Sequence, residues 1–222
     1  MADYTAARRM MVDGQIRTAD VTDLRIIAAF QETPRERFVA PAAAALAYLD
    51  LDAPVDDPAD PNVRRLLKPM VLAKLIQTAQ VRASDRVLVV GAATGYAAAI
   101  LGRLAASVVA LEEDDALLAR GVRVCAELGL SNVETVRGPL TAGWPAGAPY
   151  DVILIDGCVE VSPEPLLRQL ADGGRLVCVH GRTPATKAML YVASAGHVSG
   201  RPVFDASAPA LPGFAQAPAF VF

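Results

Sequence analysis

Two glycines and a downstream carboxylate are the first sign of chemistry in this chain. Gly91 ends the apolar run Val87-Leu88-Val89-Val90, Gly95 follows four residues later, and the alanine-rich segment from Tyr96 comes directly after. A strand turning sharply into a helix gathers backbone N–H groups at the helix's positive end, where a polar or anionic ligand is favoured. Glu112 stands 21 residues past Gly91, closing the next apolar run. A carboxylate in that place can accept both hydroxyls of a ribose. The acidic residues after it, Glu113, Asp114 and Asp115, open the following helix, with Asp114 or Asp115 expected as its cap.

Two nucleotide-type ligands compete for the loop Gly91-Ala92-Ala93-Thr94-Gly95. The dinucleotide pattern G-x-G-x-x-G places Gly91, Ala93 and Tyr96 in its slots and fits once. The pattern G-x-G-x-G, used for S-adenosylmethionine, places Gly91, Ala93 and Gly95 and fits twice. A methyl at Ala93 is harmless if φ stays negative there and obstructive otherwise. A plain strand–helix turn is the bland alternative.

Other groups carry weaker signals. Arg64, Arg65 and Lys68 form a cationic knot able to hold an anionic substrate, or a solvated turn balancing the aspartates of 50–60. Asp156 ends the run Val152–Ile155, where it could line a pocket floor. His180 and His197 lack a catalytic partner in the sequence. Cys125, Cys158 and Cys178 have no metal-like spacing and read as buried, reduced thiols, so no metal site is expected.

These residues need elements to position them. Apolar residues recur at helical spacing through residues 4–48, interrupted at Pro34 and Pro41. Residues 49–63 hold five aspartates and three prolines and read as an exposed loop. A helix is expected over 66–80. From Asp85 apolar strands alternate with helices: strands at 86–91, 107–111, 133–136, 151–155 and 174–180, helices at 95–104, 114–128 and 163–171. Continuous apolar runs are what a parallel sheet buried on both faces requires. Strand-like pieces at 187–193, 200–204 and 219–222 allow antiparallel pairing at a sheet edge. The chain has 222 residues, 53% hydrophobic, with a net charge of −3, enough for one domain with a sizeable core. No basic stripe with interleaved aromatics argues for nucleic acid, no apolar run is long enough for a membrane span, and no signal peptide is expected.

An ordered set of segments resembles the protein-L-isoaspartate O-methyltransferase family. It includes Met11, Val12, Gln15 and Ile16, then Pro34–Val39, Ala47–Asp50, Gly143-Trp144-Pro145, Ala148–Asp151, Gln169-Leu170 and Gly173–Val177. The resemblance implies an α/β, Rossmann-like S-adenosylmethionine-dependent methyltransferase fold. That fold is a mostly parallel twisted sheet flanked by helices, with a helical N-terminal segment and antiparallel C-terminal strands. It implies a single domain, with a helical segment and substrate loop over 1–80, a cofactor-binding core over 81–185 and edge strands over 186–222. It further implies a cytoplasmic enzyme with a protein, peptide or small-molecule methyl acceptor. Gly91 to Gly95, Glu112, Glu113, Gly138, Pro139, Leu140 and Asp156 are its expected cofactor-binding residues. Departures fall at the chemistry: Val89 and Pro139 replace acidic residues, Ala93 a glycine, and Leu67 the active-site serine. Arg64, Arg65 and Lys68 occupy the substrate loop. Altered or lost isoaspartyl activity is the expectation, the alternative being an inactive binding or scaffold protein.

Overall fold

The structure, a computed structural model, describes residues 3–57, 59–60, 63–182 and 184–216. The expected strand at 219–222 lies outside the described residues. A seven-stranded sheet organises the chain: β3 (Arg86–Val90), β4 (Ser107–Glu112), β5 (Val133–Arg137), β6 (Tyr150–Val159), β7 (Leu170–Arg182), β8 (Ala185–Ser194) and β9 (His197–Asp205). Its order is β5-β4-β3-β6-β7-β8-β9. The first five strands run parallel, and β8 and β9 pair antiparallel at one edge, as the C-terminal pattern anticipates. The chain winds outward from β3 to β5, then restarts at β6 on β3's other side. That reversal opens a crevice at the carboxyl ends of β3 and β6.

Strand alternation divides the core. Val87, Val89, Val152, Leu154, Val177 and Val179 pack with the N-terminal helices. Leu88, Val90, Ile153, Ile155, Leu176 and Cys178 pack on the other face with Leu166, Leu211 and Phe214. The helices are α1 (Thr5–Met11), α2 (Leu24–Glu32), α3 (Pro69–Ala79), α4 (Tyr96–Gly102), α5 (Asp115–Glu127) and the short α6 (Glu164–Leu167). None of them, among the described residues, is long and apolar enough to cross a membrane. Pro69 stands at the start of α3, where its missing N–H costs nothing.

Three differences from the sequence reading have local causes. The helix expected over 163–171 closes after Leu167. Gln169 instead braces the preceding loop, donating to Ala142 O at 2.7 Å and accepting from Trp144 N at 2.9 Å. The aspartate-rich loop is not wholly exposed: Ala53–Pro54 (β1) pairs with Arg65–Leu66 (β2), and Ala53 and Val55 are buried. The N-terminal helix passes into a wide turn over Val12–Ile16 and stops at Asp20, whose φ is +62°.

Candidate active site

Glu112 sits at the last position of β4, fully buried, its two oxygens held by the chain itself. Oε2 accepts from Ala93 N at 2.7 Å. Oε1 accepts from Glu113 N at 2.9 Å, Asp114 N at 3.2 Å and the Arg64 Nη1 at 3.0 Å. Asp114 caps α5, accepting from Ala116 N and Leu117 N. The Glu113 side chain is exposed.

The glycine loop turns through three left-handed positions, φ +77° at Gly91, +49° at Ala93 and +90° at Gly95. The condition for a harmless methyl at Ala93 is therefore not met. A non-glycine residue there costs about 1–2 kcal/mol, and the hydrogen bond its N–H donates to Glu112 helps hold it. The loop's N–H groups turn inward: Gly91 and Ala92 donate to Leu111 O, Gly95 to Ala92 O. Thr94 is buried, and its hydroxyl donates to Phe38 O at 2.5 Å, tying the loop to the N-terminal segment rather than to a ligand. Gly91 O is the acceptor turned outward, and Arg64 Nη2 donates to it at 3.0 Å.

Asp156 stands beside Gly91, because Ile155 is the register partner of Val90. It is 5% exposed, and its Oδ1 has no hydrogen-bond partner. Burial raises its carboxyl to about 7; the nearby Arg64 and Arg35 oppose that shift, while Glu112 and Asp52 reinforce it. The cavity beside it measures about 440 Å³ and is lined by Arg64, Arg65, Asp156 and the segment Pro209–Gly213. Gly138 N donates to Glu112 O, which brings the β5 turn to the same crevice. Pro139 there is exposed, and Leu140 packs into the second core with Trp144 alongside.

The residues of segment 63–68 part company. Arg64 enters the crevice. Arg65 Nη1 donates to Asp52 O, and Lys68 N to Asp52 Oδ1, whose carboxyl burial raises. Leu67 is 1% exposed, its side chain in the main core and its carbonyl accepting from Arg35 Nη2 at 2.8 Å. Arg35 is itself fully buried. His180 pairs with Tyr191 through Nδ1 at 2.8 Å, away from the cavity lining, and the three cysteines are free and buried. Nothing in the sequence marks Arg35 or Leu211; the fold alone sets Arg35 against Leu67 O and Leu211 beside Gly91.

A donor-rich ligand fits these acceptors. Gly91 O and the orphaned Asp156 Oδ1 are acceptors at the crevice that suit a ligand carrying hydroxyl or ammonium donors, as S-adenosylmethionine does.

Comparison with known proteins agrees. Residues 6–203 match the model of the protein-L-isoaspartate(D-aspartate) O-methyltransferase family. A protein-L-isoaspartate O-methyltransferase 2 of Anaeromyxobacter sp. is 40% identical over 174 residues, covering 78% of this chain and 70% of that protein. A protein-L-isoaspartate O-methyltransferase of Methanoregula boonei is 41% identical over 170 residues, 77% of this chain and 76% of the relative. A solved protein-L-isoaspartate O-methyltransferase superposes with a TM-score of 0.80 at 26% identity, over 93% of this chain and 66% of that one. A Plasmodium falciparum structure in complex with S-adenosyl-L-homocysteine shares the fold, with a TM-score of 0.76 at 13% identity. The chain belongs to the protein-L-isoaspartate(D-aspartate) O-methyltransferase family and is an S-adenosylmethionine-dependent methyltransferase.

Proposed function

We propose that this methyltransferase acts on an acceptor other than an isoaspartyl peptide. The observation that carries the reading is Leu67: the residue in the family's serine position is an apolar side chain sealed in the core. Leu66 beside it is buried too. The segment 63–68 therefore offers an acceptor carboxylate no hydroxyl, and burying a carboxylate against leucine without compensation costs several kcal/mol. Arg65 lines the cavity beside Asp156, a cation that favours an anionic acceptor.

In the cofactor role we place Glu112 on the ribose, Asp156 with Gly91 O at the methionine end, and Gly138 and Pro139 at the adenine edge. S-adenosylmethionine supplies a methyl group on a positively charged sulfur. The protein's part is orientation and exclusion of water, because an acceptor already ionised at neutral pH needs no base. A protein, a peptide or a small molecule suits that reading. The three buried free cysteines support a reducing, cytoplasmic setting, and the core shared between N-terminal helices and sheet supports a single domain.

The test is labelled-methyl incorporation into an isoaspartyl peptide by the parent and by Leu67→Ser. Parent turnover of about 1 s⁻¹ or faster, ordinary for an enzyme, refutes the proposal. A gain of activity only in Leu67→Ser shows that the serine alone separates this chain from isoaspartyl chemistry.

A further inference from the structure

Two segments distant in sequence converge on the cofactor crevice, and each puts a side chain where ligand belongs. Arg64 gives one guanidinium nitrogen to Glu112 Oε1 and the other to Gly91 O, both at 3.0 Å. Those are the acceptors that suit a ribose hydroxyl and an ammonium. Leu211 comes from the C-terminal side. Its segment meets the end of β6 in a single parallel bridge, Cys158 N donating to Pro209 O at 2.8 Å and Leu211 N to Cys158 O at 2.9 Å. The Leu211 side chain lies against Gly91 and against Gly157, the residue after Asp156 in β6: a Cβ at Gly91 would stand 2.9 Å from its Cδ2, and a Cβ at Gly157 would overlap its Cγ. Leu211 is 3% exposed. A cation and an apolar group thus reproduce, within one chain, the charged and apolar features of the ligand.

We propose that Arg64 and Leu211 form an internal latch that occupies the cofactor crevice, so that S-adenosylmethionine enters only by displacing them. This deepens the cofactor reading above and rests on it. The latch joins the substrate loop to the C-terminal strap through the cofactor site. Displacing Arg64 releases a cation on the segment that faces the acceptor, which links cofactor binding to acceptor binding. Apparent affinity falls by the fraction of molecules that are open: a latch closed in about 99% of them weakens binding about 100-fold.

The test is calorimetric titration of the intact chain with S-adenosylhomocysteine, in the parent, Arg64→Ala and Leu211→Ala, each checked for cooperative thermal unfolding. Two variants are needed because Leu211 also packs in the second core and its truncation costs stability. The latch predicts binding about tenfold or more tighter in Arg64→Ala, with Leu211→Ala shifting the same way when folded. Weaker binding in a folded Arg64→Ala makes Arg64 a ligand contact and overturns the latch. Equal binding in parent and Arg64→Ala overturns the latch and leaves the cofactor reading standing. No binding in parent or in either folded variant overturns both.

Discussion

Removing the carboxylate of Glu112 should damage folding and ligand binding together, by amounts that follow from its partners. In Glu112→Ala the N–H groups of Ala93, Glu113 and Asp114 lose their acceptor, and Arg64 loses its counter-charge. Glu112 is fully buried and the Arg64 side chain 16% exposed. Breaking a buried pair by deleting one partner costs about 3–5 kcal/mol. Arg64 can turn toward water, and the amides of Glu113 and Asp114 lie near the surface, so we take the lower end, about 3 kcal/mol. For a chain of this size each kcal/mol lowers the melting temperature by about 2–4 °C, giving a fall of about 6–12 °C. Glu112→Gln keeps the volume but turns an NH₂ toward the same donors, and should fall between parent and alanine. Calorimetric melting reads this directly, and titration with S-adenosylhomocysteine should show binding weakened at least about tenfold in the variants that remain folded. A melting temperature for Glu112→Ala within about 2 °C of the parent would refute the reasoning, since four hydrogen bonds to a buried carboxylate cannot be lost at so little cost.

Three further outcomes follow from the same crevice. Ala93→Gly removes a methyl from a left-handed position and should raise stability by about 1 kcal/mol, seen as a higher urea midpoint; a lower midpoint would mean that the methyl packs usefully. Gly91→Ala adds a methyl at φ +77° against Leu211 and should cost at least about 1–2 kcal/mol in the same measurement, an unchanged midpoint counting against the loop geometry. Asp156 has a folded-state pKa of about 7, above its unfolded value, so the fold binds the proton more tightly than the unfolded chain does. Its contribution to stability is therefore present at low pH and lost as pH rises from about 4 to 7, by up to about 4 kcal/mol. Asp156→Asn should abolish that decline, so the difference in urea midpoint between variant and parent grows across this range; parallel profiles would place the group in water.

The sheet was legible because burial on both faces leaves unbroken apolar runs: Val87–Val90 and Val152–Ile155 read as strands and fold as β3 and β6. Glu112 was legible for a similar reason, as a carboxylate at the end of a strand beside a glycine turn. What stayed hidden depends on contacts between distant segments. Arg64 reads as one of three loop cations, and only the pairing of β1 with β2 and the path of its own loop carry it to Glu112. Leu211 reads as an ordinary apolar residue in a proline-rich tail, and its place depends on the bridge beside Cys158. The conformation of Ala93 was also invisible, since alanine gives no sign of a left-handed φ that glycine would have advertised.

We propose the crevice between β3 and β6 as the S-adenosylmethionine site, with Glu112 its ribose ligand and Arg64 the group that yields to it. A crystal structure of the complex with S-adenosylhomocysteine measures this most directly. Ribose hydroxyls are expected within about 2.6–3.2 Å of the Glu112 oxygens, with Arg64 withdrawn from both Glu112 and Gly91 O. A ligand bound elsewhere, or one bound here with Arg64 still bridging Glu112 and Gly91, would contradict it.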